Sequence, residues 1–203
     1  MKKIFIDADT VRNDAFTLAK KLLDENYIPD IMYVSMRGGA PLGNAMNEFF
    51  KVMLGKKYKT IFATLVAQSY GQVHEQHSVV FHGWTFAPEK ILPTQKVLVV
   101  DDICDSGATL QKLSATFKEL GLQKNFVRFA VHDYKHFHYA GSSVNFVPDY
   151  FCNKYEIRNE DEDLWIHYLS HELIGLTKDE LEKNYLQKYP ELKKVFGGIV
   201  DHE

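Results

Sequence analysis

Three carboxylates and a loop of small residues stand side by side between positions 101 and 109. The acids are Asp101, Asp102 and Asp105, and the loop is Ser106, Gly107, Ala108 and Thr109. If this loop opens a helix, its backbone N–H groups and the helix dipole would attract an anion such as a phosphate. The acids would repel a bare phosphate, so they better suit sugar hydroxyls, a divalent metal or a developing positive charge on the same ligand.

The flanking residues predict the elements that would hold these side chains. Val97–Val100 is a short apolar run, typical of a strand that is buried on both faces. Leu110, Leu113, Phe117 and Leu120 then recur at helical spacing. The stretch therefore predicts a strand, a tight loop and a helix. The alternative is a turn of an unrelated doubly wound protein, in which the acids only solvate a loop.

A second loop, SMRGGAP at 35–41, follows the predicted strand Ile31–Val34. Arg37 can fork onto phosphate oxygens, and Gly38 and Gly39 would let the backbone approach a ligand closely. Ligands of doubly wound sheets bind outside the carboxyl ends of the strands. We therefore expect this loop and the acidic stretch to share one crevice.

Both loops point to one family. DDICDSGAT resembles the PRPP-binding motif of the type I phosphoribosyltransferases, and SMRGGAP is similar to the loop that holds pyrophosphate in that family. The resemblance implies that Arg37 and Gly38 contact pyrophosphate and that residues 106–109 hold the 5′-phosphate. It implies that Asp101 and Asp102 bind the ribose hydroxyls and touch Mg²⁺, the implied cofactor, directly or through water.

The polar segment Gln68–Pro88 is long and weakly patterned, which is typical of a functional or mobile loop. It begins with Ser69 and Tyr70, and it resembles the flexible hairpin with a Ser-Tyr pair that closes over the site in purine phosphoribosyltransferases. Ser69 and Tyr70 would be its contacts. A lid of this kind excludes water from a reactive cationic sugar. A plain surface hairpin is the alternative.

Aromatic residues are dense between 132 and 172, which predicts either a small separate core or a hood that stacks a flat base. Trp165-Ile166 followed by Glu172 resembles the pattern that lies against the purine ring in the family. Glu172 is accordingly predicted to bind the purine and, with Asp101 and Asp102, the metal.

Two further roles follow from the resemblance. Asp105 is placed to bind PRPP and to take the proton from purine N7 as the catalytic base. The family normally has a lysine just after a strand, where it hydrogen-bonds the purine 6-oxo group. His132 stands at the predicted strand end and Lys135 follows three residues later, so either one is a candidate for that contact.

The order of elements predicts an α/β fold with a mostly parallel central sheet flanked by helices. Asp9–Tyr27 is predicted to be helical and Phe126–Val131 to be a strand. We expect a single domain over residues 1–203, with a core at about 1–131, an aromatic hood at about 132–176 and a helical appendage at about 177–203. A capping box of Thr177 and Glu180 is predicted to begin that appendage.

Composition limits the setting. The formal net charge of the 203 residues is -3, so nucleic acid is not an expected partner. Apolar runs are far shorter than the roughly 20 residues that span a bilayer, and acids interrupt the apolar patch at the N-terminus, so neither a membrane segment nor a signal peptide is expected. Cys104 and Cys152 form neither a disulfide framework nor a zinc pattern, which favours a reduced, cytoplasmic setting.

The sequence as a whole predicts an enzyme of purine salvage. It would transfer the 5-phosphoribosyl group from PRPP to hypoxanthine, guanine or xanthine, and the family's habit implies a homodimer or homotetramer. One alternative is a non-catalytic regulator that senses PRPP or a nucleotide on the same fold. Another is a phosphoribosyltransferase for a different base. A third is a PRPP synthase-like or amidotransferase-type protein, and the lack of a second domain or an N-terminal nucleophile disfavours this third alternative.

Overall fold

Six strands form the central sheet of the protein, in the order β4-β3-β2-β5-β6-β7. The computed structural model describes residues 2–70, 78–139 and 146–196, with the backbone alone at 68–70 and 78. The strands are β1 (Lys2–Ile6), β2 (Ile31–Met36), β3 (Ile61–Tyr70), β4 (Ser78–Trp84), β5 (Val97–Cys104), β6 (Val127–Phe137), β7 (Tyr150–Ile157) and β8 (Leu164–Tyr168). The helices are α1 (Ala8–Asp24), α2 (Ala40–Leu54), α3 (Ala108–Glu119) and α4 (Lys178–Leu181).

The sheet is parallel except for β4, which pairs antiparallel with β3. Helices cover both of its faces. Alternate residues of the central strands point to opposite sides of the sheet, so each face has its own apolar core. Met32 and Val34 of β2 pack in the core under α1 and α2, whereas Ile31 and Tyr33 pack in the core under α3. The predicted mostly parallel α/β fold is confirmed. Within the described ranges, each helix is too short or too polar to span a bilayer.

A second, two-stranded sheet forms the hood. In it β1 pairs parallel with β8, with Lys3 opposite Trp165 and Ile6 opposite Tyr168. The N-terminal residues therefore pair with the strand that carries Trp165, and this N-terminal strand was not predicted. A five-residue strand has too few positions for a clear alternation, and its partner lies some 160 residues away along the chain.

The predicted boundary of the core at residue 131 differs from the structure. β6 continues to Phe137, and β7 extends the same sheet as its edge strand. Tyr134 and Phe151 of these strands pack against the core beneath α3. The hood is thus smaller than expected, and consists of β1, β8 and the loop that follows β8.

The C-terminal segment lies against the hood. The predicted capping box is confirmed: the Thr177 side chain accepts from the Glu180 backbone N–H, and the Glu180 side chain accepts from the Thr177 backbone N–H. Lys3 of β1 donates to the Glu180 carboxylate at 2.8 Å and to the Gly175 carbonyl at 3.2 Å. α4 continues as one π-helical turn, Glu182–Leu186, with Leu186 buried. The segment therefore braces β1 and, through it, β8.

Candidate active site

A cavity of about 450 Å³ opens where the carboxyl ends of β2, β5 and β6 face the hood. Eight residues singled out from the sequence line it: Arg37, Gly38, Asp102, Asp105, Lys135, Trp165, Ile166 and Glu172. The other lining residues are Met36, of the arginine loop, and five that were not singled out: Ala67, Ile103, Tyr168, His171 and Ile174. The structure therefore brings the arginine loop, the acidic stretch and the Trp-Ile pair to one crevice.

The arginine loop rests directly on the end of β5, and its glycines make this possible. A Cβ at Gly38 would lie 2.3 Å from Oδ2 of Asp102, far inside van der Waals contact. A Cβ at Gly39 would lie 2.7 Å from the Val100 carbonyl and 2.9 Å from the Ser35 carbonyl, both backbone atoms. A side chain at either position would force the two loops apart, so the double glycine sets the distance between Arg37 and the acids.

The two adjacent acids differ in their surroundings. The Asp102 carboxylate accepts from the Ile103 N–H at 3.0 Å and contacts Nε2 of His171 at 3.2 Å, on the cavity wall. Asp101 accepts from the Asp102 N–H at 3.0 Å and from the Ser35 side chain. Burial, then the charge of Asp102, raises the pKa of Asp101 well above its usual range. Of the two acids, Asp102 therefore lines the cavity and Asp101 does not.

The small-residue loop opens α3 as predicted. Gly107 has φ +80°, in the left-handed region that favours glycine. Ser106 Oγ accepts weakly from the Ala108 N–H at 3.4 Å, and the first helical turn, from Ala108, is uncharged. The loop follows directly on Asp105, which lines the cavity. The N-terminal N–H groups of α3 are thus available to an anion beside the cavity.

Lys135 and Asp105 form an ion pair at the cavity wall. The ammonium of Lys135 is 3.2 Å from Oδ1 of Asp105 and 3.0 Å from Oδ1 of Asp163. Lys135 is 5% exposed, whereas the Asp105 side chain is about half exposed. Asp163 also accepts from the Leu164 N–H at 2.8 Å. Asp163 therefore holds the Lys135 ammonium in place, and the half-exposed Asp105 carboxylate lines the cavity.

His132, the other candidate for the 6-oxo contact, points toward α1 instead. It is fully buried, with Nδ1 2.7 Å from Oδ2 of Asp133 and Nε2 3.0 Å from Oδ2 of Asp14. Burial lowers the pKa of His132, but the hydrogen bonds and charges of Asp133 and Asp14 outweigh it, so the net pKa is raised. Of the two candidates, the geometry favours Lys135.

The hood supplies an aromatic surface and a further carboxylate. Trp165 is 46% exposed on the cavity wall, and Ile166 is buried beside it. Burial, then the charge of Asp102, raises the pKa of Glu172, which also accepts from the Trp165 side chain. The carboxylates of Asp102 and Glu172 thus line the same cavity. Carboxylate oxygens are the donors that Mg²⁺ prefers. The residues present therefore fit the metal that the resemblance implies.

Two lining residues of the hood, Tyr168 of β8 and His171 of the loop that follows it, escaped the sequence analysis for different reasons. The Tyr168 hydroxyl lies 3.0 Å from the Asp102 carbonyl and 2.5 Å from the Asp133 carboxylate. Since it stands two residues after Ile166 on β8, strand alternation would have indicated it. His171 lies in an irregular turn after β8 and carried no sequence signal.

The expected lid begins as a hairpin. β3 and β4 pair antiparallel, with Ser69 opposite Val79 and Tyr70 opposite Ser78. The side chains of Ser69 and Tyr70, and residues 71–77 with them, lie outside the described part of the chain, so their predicted contacts stay predictions. A second cavity of about 380 Å³ adjoins the first across Trp165, on a wall that includes Lys3 and His167. Glu172 lines both cavities, but Asp102, Asp105 and Lys135 line only the first, so we place the candidate site there.

Comparison with known proteins agrees with this geometry. A family model described as phosphoribosyl transferase domain matches residues 8–142, about two thirds of the chain. A search of curated protein sequences found no match.

Solved structures share the fold. A purine phosphoribosyltransferase from Pyrococcus horikoshii is 24% identical with a TM-score of 0.60, covering 88% of this chain and 99% of that one. A protein from Neisseria gonorrhoeae with bound ppGpp is 20% identical with a TM-score of 0.62, covering 92% and 97%. The xanthine-guanine-hypoxanthine phosphoribosyltransferase of Helicobacter pylori is 18% identical with a TM-score of 0.56, covering 93% and 99%.

Proposed function

The chain belongs to the phosphoribosyl transferase family, and from that premise we propose that it transfers the 5-phosphoribosyl group of PRPP to a 6-oxopurine. The products would be the nucleoside monophosphate and pyrophosphate. The observation that carries the proposal is the pair of Lys135 and Asp105, 3.2 Å apart on the wall that also holds Trp165.

This pair matches one edge of a 6-oxopurine. The 6-oxo oxygen is an acceptor, and the neighbouring N7 becomes acidic when the base is ribosylated, so the edge calls for a donor beside a base. The Lys135 ammonium has three donors and no acceptor, and the Asp105 carboxylate accepts. A 6-amino group, as in adenine, would set its own donors against Lys135, and mismatched hydrogen bonding in a buried site discriminates strongly.

The remaining residues would bind different parts of PRPP. Arg37, on the loop held by Gly38 and Gly39, would contact the pyrophosphate, and residues 106–109 would bind the 5′-phosphate at the start of α3. Asp102 would bind the ribose hydroxyls. Mg²⁺ held by Asp102 and Glu172 would neutralise charge on the leaving pyrophosphate.

The chain's own groups then lower the barrier of transfer. The transition state resembles an oxocarbenium ion, so the nearby carboxylates favour the positive charge that develops on the sugar. Asp105 would accept the N7 proton as the new bond forms, a general-base contribution of roughly 10²–10⁴-fold. Trp165 would stack on the purine and exclude water from one face of the reacting centre.

Turnover with a panel of bases tests the proposal. Purified protein with PRPP and Mg²⁺ is incubated with hypoxanthine, guanine, xanthine or adenine, and nucleotide and pyrophosphate are measured. We expect product with at least one 6-oxopurine and at least 10²-fold lower kcat/KM with adenine. A Lys135→Met variant, checked for folding by its melting curve, should lose that preference. Equal turnover of adenine, or an unchanged preference in the variant, would contradict the assignment.

A second candidate is nucleotide binding at the same cavity without turnover. The Neisseria gonorrhoeae neighbour carries ppGpp, and a guanine nucleotide presents the same 6-oxo and N7 edge to the pair of Lys135 and Asp105. The same assay separates the two functions. Binding of PRPP or ppGpp by calorimetry, with no pyrophosphate released from any base in the panel, would favour the sensor.

A further inference from the structure

We propose that Asp14, His132 and Cys152 form a binding site for a thiophilic divalent metal such as Zn²⁺, away from the cavity described above. The three residues come from α1, β6 and β7. One ligand atom from each, namely a carboxylate oxygen, a ring nitrogen and the sulfur, lies within 4.8 Å of the others. The fold thus gathers them from positions far apart in the chain.

The set matches the chemistry of zinc. Imidazole nitrogen and carboxylate oxygen bind Zn²⁺ at about 2.0–2.2 Å and thiolate sulfur at about 2.3 Å, in tetrahedral geometry. Ligand atoms around such an ion are roughly 3.3–3.8 Å apart, and Nε2 of His132 already stands 3.0 Å from Oδ2 of Asp14. Small side-chain adjustments would therefore close the site. The thiolate favours Zn²⁺ over Mg²⁺ or Ca²⁺, which prefer oxygen ligands alone.

The support behind His132 is that of a metal ligand. Nδ1 of His132 is 2.7 Å from Oδ2 of Asp133, which is fully buried. The Tyr168 hydroxyl holds the same carboxylate oxygen at 2.5 Å. A carboxylate on one ring nitrogen fixes the orientation of the ring and makes the other nitrogen a better ligand. His132 is thereby aimed at Asp14 and Cys152.

A cavity reaches two of the three proposed ligands, Asp14 and Cys152, but is not lined by His132. This cavity of about 210 Å³ between α1 and β7 is lined by Asp14, Lys21, Cys152 and Asn153, among others. It gives an ion a route from solvent and a place for a water molecule in the open tetrahedral position. The Asp14 and Asp133 carboxylates and a Cys152 thiolate carry three negative charges, which a divalent ion and the Lys21 ammonium would balance.

A second cluster on the surface serves as an internal comparison. His136, His138 and Glu156 also bring ligand atoms within 4.8 Å of one another, but His138 and Glu156 are exposed, His136 is half-buried, and none of the three supplies sulfur. Lys154 already pairs with Glu156 at 2.8 Å. Metal bound at this surface cluster would give no thiolate signal, so sulfur spectroscopy separates the two places.

Cobalt substitution tests the proposal on the full-length protein, freed of metal with a chelator. Co²⁺ is titrated while the thiolate-to-cobalt charge-transfer absorption in the near ultraviolet is recorded, and bound metal is counted after dialysis. We expect one Co²⁺ per chain with a sulfur band, and Zn²⁺ should abolish that band by displacement. Absence of the sulfur band overturns the proposal, even if Co²⁺ binds at the surface histidines.

Matched variants identify the ligands. Cys152→Ser should abolish the band, whereas Cys104→Ser, which alters the buried thiol of β5, should keep it. Asp14→Asn changes a side chain that is about one-third exposed, and it should weaken Co²⁺ binding at least tenfold with an unchanged circular dichroism spectrum. If Cys152→Ser does not fold, the Asp14→Asn titration decides the matter by itself. A band that persists in Cys152→Ser, or wild-type affinity in Asp14→Asn, contradicts the assignment.

Discussion

Gly38→Ala should disable the site while leaving the fold in place. The new Cβ would stand 2.3, 2.4 and 2.5 Å from Oδ2, Cγ and Oδ1 of Asp102. The backbone of the loop is held in place beside it, because the Gly39 N–H donates to the Ser35 carbonyl at 3.0 Å. The carboxylate must therefore move, and it gives up its contacts with the Ile103 N–H and with His171.

The size of the movement sets the expected loss. Ordinary van der Waals contact begins at 3.4 Å, so the Asp102 carboxylate would shift by about 1 Å, as overpacked side chains do. A misplacement of about 1 Å in a reacting site costs on the order of 10²-fold, which is about 2.7 kcal/mol of transition-state stabilisation. We expect kcat/KM for PRPP to fall by about that factor. The fold should remain intact, because the movement of the Asp102 side chain relieves the overlap.

Steady-state kinetics and thermal melting, done side by side, check this prediction. Gly43→Ala is the matched control, because its Cβ would meet the Val34 side chain at 2.5 Å in the core under α2, away from the cavity. The control should lose about 1–3 kcal/mol of stability and keep its kcat/KM per folded molecule. A Gly38→Ala enzyme within threefold of wild type, or one whose loss of activity only tracks loss of folded protein, would refute the reasoning.

Four further predictions concern single side chains. Asp105→Asn should keep PRPP affinity in calorimetry and lose about 10²–10⁴-fold in kcat, because it removes the general base; unchanged turnover would take Asp105 out of that role. Trp165→Ala should raise KM for the purine about tenfold, or about 1.4 kcal/mol of stacking, with KM for PRPP unchanged; parallel changes in both would argue against stacking. Tyr168→Phe should lower stability by about 1–3 kcal/mol in denaturant unfolding, since the buried Asp133 carboxylate loses a donor at 2.5 Å; wild-type stability would show that another donor takes its place. Glu180→Gln should lower stability by up to about 1 kcal/mol at pH 7, because the Lys3 hydrogen bond, then the backbone N–H of Thr177, lower the pKa of Glu180. That contribution is complete above pH 4.5 and is lost as the pH falls through the lowered pKa, so the difference from wild type should vanish in acid; a difference that persists there would contradict it.

The stretch around β5 was predictable because its local chemistry agrees at each level. Val97–Val100 is an apolar run of three valines and a leucine, typical of a strand that is covered on both faces. Gly107 takes the left-handed conformation that lets α3 begin at once, and the helical spacing from Leu110 follows. The double glycine of the arginine loop was expected to let the backbone approach a ligand, and in the structure Gly38 lies close to the Asp102 side chain.

The end of β6 was not predictable, because the pattern there is broken by charge. His132, Asp133 and Lys135 interrupt an apolar run, and unpaired charges of this kind normally end a buried strand. In the structure each has a partner, respectively Asp14, His132 and Asp163. These partners offset the cost of burying the three charged side chains. Asp14 and Asp163 are distant in the sequence, so no local pattern indicates that they pair with His132 and Lys135.

The hood was expected, but the two-stranded sheet that forms its framework escaped prediction for the same reason. Its framework is the pairing of β1 with β8, residues at opposite ends of the chain, and its brace is the ion pair of Lys3 with Glu180. The Trp-Ile pair was singled out by resemblance, whereas Tyr168 and His171 reach the cavity only through this assembly. Sequence reasoning thus identified more of the residues that line the cavity than of the framework that holds them.

A structure of the protein with a 6-oxopurine nucleoside monophosphate bound would test the central claim most directly. The account predicts the 6-oxo oxygen within hydrogen-bond distance of the Lys135 ammonium, N7 facing Asp105, the ring against Trp165 and the phosphate on the N–H groups of residues 106–109. A base that lies away from Lys135 and Asp105, or a phosphate bound elsewhere than at the start of α3, would contradict it.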